Sequence, residues 1–280
     1  MPRFNDGTMK VTLIQMDIVW GDAAANCRTA EHLMLSAERS DIYVLPEMWN
    51  TGVTAEPQGV AEDSRGETLL WMQGMADRLD AAVVGSVAVK AQDGTYRNRL
   101  YFVKPQEKGQ SSMFNLQWYD KHHLFSYGGE TVNYTPGDER VTVEWRGLRF
   151  RLCVCYDLRF PMWLRNTDGY DVLVCVASWP DVRMHAWRVL LQARAIENQC
   201  YVLGVNRIGS DPDCHYVGGT SVVDSFGTAT SCPDGKASVL TETLNMKRLR
   251  AFREKFPVLK EADVVCSGFG SADQGDNEEG

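Results

Sequence analysis

Residues Arg149–Pro161 read RFRLCVCYDLRFP, a segment in which a cysteine stands where an apolar run ends. The alternating apolar residues predict a buried strand, and the polar residues after Cys155 predict a sharp turn. Side chains just beyond the carboxyl ends of strands line the ligand-binding edge of α/β sheets. Cys155 is therefore a candidate nucleophile. The alternative is a core cysteine that only packs, as most buried cysteines do.

Two charged residues repeat this arrangement. Glu47 follows the apolar run Ile42–Leu45 and a proline, and Lys121 follows the run Leu116–Asp120. Each residue alone has an ordinary explanation. Glu47 could cap a turn, and Lys121 could be a solvated surface residue. A thiol, a carboxylate and an ammonium at one edge would form a nucleophilic site.

These three groups have complementary chemical tasks. Glu47 can carry a proton between the thiol and the leaving group. Lys121 can stabilise negative charge, and a neighbouring cation lowers a thiol pKa from its ordinary value of about 8.5. The peptide N–H of Tyr156 is the leading candidate for an oxyanion donor. His122 or His123 as the base for Cys155 is an alternative.

Strand-like and helix-like runs alternate along the chain. The predicted strands are Lys10–Met16, Ile42–Leu45, Ala81–Val89, Leu100–Val103, Met113–Tyr119, Val141–Trp145, the run ending at Cys155, Val172–Val176 and Tyr201–Val205. The predicted helices are Asn26–Ser40, with Asn26 as N-cap, Glu67–Leu79, Pro161–Asn166 and Arg183–Asn198. A last hairpin is expected to join Thr220–Asp224 to Ser238–Leu244. This order predicts an α/β protein with two sheets packed face to face and helices outside.

Composition restricts the classes of protein. A length of 280 residues fits one domain, expected over residues 1–265, followed by an acidic, disordered tail over 266–280. The net charge of −8 argues against nucleic acids and anionic membranes as partners. No apolar run reaches the ~20 residues that span a bilayer, and the start lacks an apolar signal core, which predicts a cytoplasmic protein. Its eight cysteines are expected to be free thiols, and their spacing favours no metal site.

Three segments resemble the signature motifs of the nitrilase (carbon–nitrogen hydrolase) superfamily, in that superfamily's order. They are LPEM around Glu47, YDKHHLF around Lys121 and CYDLRFP from Cys155. The flanking segments GGE at Glu130, YTPG, ASWP at Trp179 and ARAIENQ match as well. The resemblance covers roughly residues 11–263, and its finer features are similar to the bacterial omega-amidase branch.

The resemblance implies a four-layer α-β-β-α sandwich that needs no cofactor and forms a homodimer through its helices. It also implies Cys155 as nucleophile, Glu47 as general base and acid, Lys121 as oxyanion-stabilising cation and Glu130 as a second carboxylate beside the lysine. The implied reaction is hydrolysis of the terminal amide of a short 2-oxo-dicarboxylate monoamide, such as 2-oxoglutaramate or 2-oxosuccinamate, through a Cys155 thioester.

The expected substrate-binding residues are Tyr156 and Trp179, with three candidates for the substrate carboxylate in rim loops: Tyr127, Arg183 and Arg207. Three alternatives remain open at this stage. They are an amidase for deaminated glutathione, a nitrile hydrolase, and a non-enzymatic interaction protein or redox sensor on the same fold.

Overall fold

The structure, a computed structural model, describes residues 7–107, 109 and 112–261. The first half of the described chain contains β1 (Thr8–Gln15), α1 (Ala23–Ser36), β2 (Ile42–Val44), β3 (Glu62–Asp63), α2 (Glu67–Leu79), β4 (Ala82–Lys90), β5 (Tyr96–Val103), β6 (Leu116–Asp120) and α3 (Glu130–Asn133). The second half contains β7 (Thr142–Trp145), β8 (Leu148–Val154), α4 (Pro161–Leu164), β9 (Val172–Ala177), α5 (Met184–Glu197), β10 (Tyr201–Asn206), β11 (Ile208–Ser210), β12 (His215–Val217), β13 (Ser221–Val223), β14 (Ala229–Ser231), β15 (Ser238–Asn245) and α6 (Met246–Lys255). The expected tail over 266–280 and the domain end at 265 lie outside the described residues.

Two mixed sheets carry most of these strands. The first sheet has the order β15-β1-β2-β4-β5-β6, with β3 beside β4, and the second has the order β14-β13-β10-β9-β8-β7. Strands β1, β2 and β4 run parallel to one another in the first sheet, as do β8, β9 and β10 in the second. Antiparallel strands flank both groups. Strands β11 and β12 form a separate hairpin.

The two sheets bury one face each against the other. In β8, Phe150, Leu152 and Val154 face this shared core, whereas Cys153 faces the opposite side of the sheet. The alternation follows from the two-residue period of a strand. The rings of Phe102 and Phe150 meet across the sheets with centroids 5.5 Å apart.

Helices cover the outer faces. Apolar residues of α1 and α2 pack on the first sheet in one cluster, and those of α5 pack on the second sheet in another. The predicted four-layer α-β-β-α sandwich is therefore confirmed. Helix α2 begins and ends at the predicted residues, Glu67 and Leu79. Of the helices within the described ranges, none has both the length and the apolar character of a bilayer-spanning segment.

Two details of the prediction are wrong. The expected last hairpin does not form, because β13 pairs with β10 and β14 in the second sheet while β15 pairs with β1 in the first. Helix α1 is capped by Asp22, which accepts a hydrogen bond from the N–H of Ala25 at 2.9 Å. Asn26 lies inside the helix, where its side chain bonds to Val19 and Asn50. The sequence analysis also missed α6, whose Met246 and Leu249 cover one end of the shared core.

Candidate active site

Glu47 lies three residues beyond β2, where its buried carboxylate meets both sheets. Oε1 accepts hydrogen bonds from Lys121 Nζ at 2.9 Å and Asn98 Nδ2 at 2.8 Å, both from the first sheet. Oε2 accepts one from the backbone N–H of Ser178, which follows β9 of the second sheet, at 2.9 Å. The carboxylate is thus fixed where the carboxyl ends of strands from both sheets converge.

Lys121 follows β6, and its ammonium is buried between two carboxylates. Nζ lies 2.9 Å from Glu47 Oε1 and 2.8 Å from Glu130 Oε2. Burial alone lowers the pKa of Lys121, but the charges of Glu130 and Glu47 outweigh it and hold the pKa well above its ordinary value. The side chain is therefore a cation, and the third proton of its ammonium is left for another acceptor.

Glu130 begins α3 immediately after Gly129, which adopts φ +76° at the junction. Its Oε2 also accepts the N–H of Phe125 at 2.7 Å, and its Oε1 accepts Asn98 Nδ2 at 3.2 Å. These contacts bring the segment from Phe125 to Glu130 back onto the lysine, which explains why the second carboxylate lies nine residues from it.

Cys155 follows β8 and opens a 3-10 helix, Cys155–Arg159, with a left-handed φ of +46°. Such a backbone conformation is unusual for a non-glycine residue and persists only where its surroundings hold it. The fully buried Asp157 holds this turn, because its carboxylate accepts the N–H of Val154 at 3.0 Å and the N–H of His123 at 2.8 Å. The thiol Sγ lies 4.0 Å from the carbonyl oxygen of Ser178.

The electrostatic surroundings of Cys155 differ from the expectation. Burial and the charge of Glu47 raise the pKa of the thiol well above its ordinary value, and Lys121 lowers it by less. Lys121 therefore lowers the thiol pKa as expected, but its effect is smaller than those of burial and of Glu47. A raised pKa gives no support to the redox-sensor alternative, which depends on a thiolate.

The four groups open onto one cavity of about 330 Å³. That volume lies at the lower end of the usual range for small-molecule sites, about 300–1,000 Å³. Its lining also includes Trp20, Val53, Thr54, Ala55, Glu56, Phe125, Gly128, Tyr156, Arg159, Ser178, Trp179, Pro180, Arg183, Asp211, Asp213, Cys214 and Tyr216.

Three of the expected substrate-binding residues line this cavity. The Tyr156 ring packs against Phe125, with centroids 5.1 Å apart. Trp179 is buried, and its Nε1 donates to the carbonyl oxygen of Arg183 at 2.9 Å. The guanidinium of Arg183 lies 5.3 Å from the ring centroid of Phe125.

Sequence reasoning missed a second arginine in the lining. Arg159 ends the 3-10 helix that Cys155 begins, and its guanidinium lies 4.9 Å from the ring centroid of Trp179. Neither Arg159 nor Arg183 has a carboxylate within the 4.0 Å of an ion pair among the residues that the structure describes. The sequence does contain a signal for Arg159, which lies four residues after Cys155 in the same motif.

The other two expected carboxylate contacts are wrong. Arg207 is fully buried behind the cavity wall, where it donates to the carbonyl oxygens of Ile208 and Ile18 and stacks on Tyr216. Tyr127 is 89% exposed and does not line the cavity, although Phe125 and Gly128 of the same loop do. In both cases the residue lies in the expected loop, but its side chain points away from the site.

The histidines after Lys121 do not line the cavity either. His123 stacks on Phe160 with centroids 3.6 Å apart, and its Nδ1 contacts Asp157 Oδ1 at 2.9 Å. His122 stacks on Trp163 with centroids 3.7 Å apart. Both rings therefore pack the segment after Lys121 against the segment after Cys155. The Cys-His alternative has no geometric support.

The arrangement has the parts needed for nucleophilic catalysis: a thiol, a carboxylate that can move a proton, and a cation for developing negative charge. Within the described ranges, no three His, Cys, Asp or Glu side chains are grouped so that they could hold a metal ion.

Comparisons with known proteins show similarity over nearly the whole chain. The sequence profile of the family described as "Carbon-nitrogen hydrolase" matches residues 10–254. The "Omega-amidase YafV" of Yersinia enterocolitica is 42% identical over 260 residues, which cover 91% of this chain and 97% of that protein. The "2-oxoglutaramate amidase" of Bacillus subtilis (strain 168) is 32% identical over 253 residues, covering 89% of this chain and 95% of that protein.

A solved structure shows the same similarity in three dimensions. XC1258 from Xanthomonas campestris, described as a CN-hydrolase superfamily protein, superposes with a TM-score of 0.87 at 37% sequence identity. The match covers 93% of this chain and 99% of that chain.

Proposed function

The chain is an amide-hydrolysing member of the carbon–nitrogen hydrolase family, and we propose that it is an omega-amidase. Its substrate would be a short 2-oxo-dicarboxylate monoamide, such as 2-oxoglutaramate or 2-oxosuccinamate, and its products the dicarboxylate and ammonia. One observation carries this proposal: the cavity that holds Cys155, Glu47 and Lys121 also presents Arg159 and Arg183, two cations without an ion-pair partner in the described part of the chain.

The first half of the reaction would make a thioester. Glu47 Oε1 already accepts two hydrogen bonds and Oε2 accepts one, so Oε2 keeps a lone pair for the thiol proton of Cys155. As Sγ attacks the amide carbon, its proton passes to Glu47. The tetrahedral intermediate then expels its amino group, which takes the proton from Glu47 and leaves as ammonia.

The second half would hydrolyse the thioester. Glu47 removes a proton from a water molecule as its oxygen attacks the thioester carbon, and the same proton returns to sulfur when the acid leaves. In both halves the carbonyl oxygen becomes negative. The third proton of the Lys121 ammonium and the N–H of Tyr156 are the proposed donors to it.

The remaining part of the cavity supports the choice of substrate. A 2-oxo-dicarboxylate monoamide carries a carboxylate at the end opposite its amide, and guanidinium groups bind carboxylates through charge-assisted hydrogen bonds. Arg183 and Arg159 supply such groups. Three acidic residues, Glu56, Asp211 and Asp213, also line the cavity and would favour a substrate with an ammonium group, so glutamine is the competing substrate.

A comparison of substrates tests the proposal. Ammonia release is measured with 2-oxoglutaramate, its methyl ester, glutamine, deaminated glutathione and a nitrile analogue. We expect the free acid to be preferred over its methyl ester by about 10- to 100-fold in kcat/KM, since the ester loses charge-assisted hydrogen bonds. Equal values for acid and ester would reject the carboxylate contact. Preference for glutamine, deaminated glutathione or the nitrile would assign another substrate class to the same nucleophile.

We also propose a cytoplasmic homodimer that pairs through the helices. Three apolar side chains near α5 and α6 support this, because Ile196, Phe226 and Phe256 are each about half exposed, at 53%, 49% and 58%. Light scattering coupled to gel filtration should give twice the monomer mass of 31.4 kDa. Phe226→Glu should shift the mass towards the monomer, whereas a wild-type monomer would reject the proposal.

A further inference from the structure

Asn98 is a buried residue of β5 that touches both carboxylates of the site. Its Nδ2 lies 2.8 Å from Glu47 Oε1 and 3.2 Å from Glu130 Oε1. Its backbone oxygen accepts the N–H of Lys121 at 2.9 Å. One residue in the middle of a strand therefore connects all three charged groups, although it lies in none of the segments that the sequence analysis examined.

The chemistry of the side chain fixes how it is oriented. An ionised carboxylate only accepts hydrogen bonds, and the amide NH₂ offers two protons, one for each partner. If the amide were turned the other way, its oxygen would face two carboxylate oxygens, and no donor would lie between them. In the orientation found, the amide oxygen of Asn98 is buried without a hydrogen-bond partner among the described residues. An unpaired buried acceptor is unfavourable for folding, so fold stability alone does not account for an asparagine here.

The charges of the site explain what the amide can do. Glu47, Glu130 and Lys121 are all buried, and two carboxylates with one ammonium would together carry one net negative charge if all three were ionised. Two carboxylates that share one cation tend to hold a proton between them, because neighbouring like charges favour the neutral form of one. A proton held there would leave Glu47 unable to accept the thiol proton of Cys155.

We propose that Asn98 is a positioning residue that keeps Glu47 and Glu130 ionised together and leaves Glu47 Oε2 free for the proton of Cys155. Asparagine suits this task because it is short, offers two donors and adds no charge. Aspartate would add a third negative charge, and leucine of similar size would offer no donor. The inference rests on the proposed role of Glu47 as the base.

Two substitutions test the inference through the pH profile of kcat/KM for 2-oxoglutaramate. Asn98→Leu should lower kcat/KM by about 10- to 100-fold, the range for losing a hydrogen bond to a charged group, and should move the acidic limb to higher pH. Asn98→Asp should be more active at acidic pH than at neutral pH, because its protonated carboxyl can donate a hydrogen bond. Its kcat/KM should fall as pH rises and that carboxyl ionises.

The matched control is Asn166→Leu. Asn166 is also buried, and its amide donates to the carbonyl oxygens of Tyr170 and Asn198, outside the cavity. This variant should lower Tm without moving the pH profile. If Asn98→Leu behaved the same way, Asn98 would be a structural residue only and the inference would be overturned.

A second measurement does not depend on the substrate. Alkylation of Cys155 by iodoacetamide needs the same transfer of the thiol proton to Glu47, so its rate against pH, followed by peptide mass spectrometry, should show the same shift of the acidic limb in Asn98→Leu. This separates two failures. A wild-type protein that ignores 2-oxoglutaramate would reject the proposed substrate, whereas an unshifted alkylation profile would reject the role of Asn98.

Discussion

The two ends of the cavity are built in different ways. At the inner end, Glu47, Lys121 and Glu130 are buried, and each contacts at least one of the others. At the outer end, Arg159 and Arg183 are partly exposed and have no carboxylate partner within the described ranges. Of the inner groups, Glu47 and Lys121 follow strands and Glu130 begins α3. Arg159 and Arg183 each end a short 3-10 helix, Cys155–Arg159 and Asp181–Arg183. The comparison suggests that the inner end performs the chemistry and the outer end chooses the substrate.

The largest expected effect concerns the nucleophile itself. Cys155→Ala should abolish ammonia release while the protein stays folded, because no other group would form the thioester. Cys153→Ala is the matched control, since this thiol is two residues away but is fully buried within β8, in the cluster that packs against α5, and does not line the cavity. Wild-type turnover by Cys155→Ala would refute the account of the inner end.

The next effect concerns proton transfer. Glu47→Gln should lower kcat by about 10²–10⁴-fold, the usual contribution of general acid–base catalysis, with little change in KM. Glu38→Gln, at an exposed glutamate paired with Lys10, should leave kcat unchanged. If Glu47→Gln lowered kcat only slightly and His123→Ala lowered it strongly, the base would be a histidine and the site a Cys-His pair.

The outer end should respond differently. Arg183→Ala and Arg159→Ala should each raise KM for 2-oxoglutaramate and lower kcat/KM by about 10- to 100-fold, through loss of a charge-assisted contact. Kinetics with the methyl ester should be nearly unaffected, because that substrate lacks the charge. Arg188→Ala is the control, since Arg188 is exposed and pairs with Asp234 outside the cavity. A fall in kcat with unchanged KM would assign these arginines to the chemistry instead.

The smallest effect is spectroscopic. Burial and Glu47 raise the pKa of Cys155 well above its ordinary value, so the thiol should stay protonated at neutral pH and ionise only as pH rises beyond the normal cysteine range. The difference in ultraviolet thiolate absorbance between wild type and Cys155→Ala should therefore be absent at neutral pH. A thiolate signal at neutral pH would show that Lys121 dominates the electrostatics of the inner end.

The sequence predicted the inner end better than the outer end for a physical reason. Glu47, Lys121 and Cys155 each follow an apolar strand, and the backbone path at a strand end leaves few directions for the side chain. Tyr127 lies in the 3-10 turn Ser126–Gly128, and Arg207 is the single residue between β10 and β11, so neither side chain follows a strand that ends at the edge of the cavity. Neither residue lines the cavity.

Contacts that depend on pairing between strands distant in sequence were not predicted. Asn98 lies inside β5, and its role follows from the register that sets it opposite Ala88 and beside the strand that leads to Lys121. The wrong last hairpin has the same origin, since β15 pairs with β1 at the other end of the chain. The local pattern of apolar and polar residues does not predict contacts between strands that are distant in sequence.

Trapping the covalent intermediate tests the central claim most directly. Wild-type protein is quenched with acid during turnover of 2-oxoglutaramate, and the peptides are analysed by mass spectrometry. The account predicts an added acyl group, that of the dicarboxylate product, on the peptide containing Cys155 and its absence in Cys155→Ala. An acyl group on another cysteine, or turnover with no covalent adduct in rapid-quench samples, would contradict it.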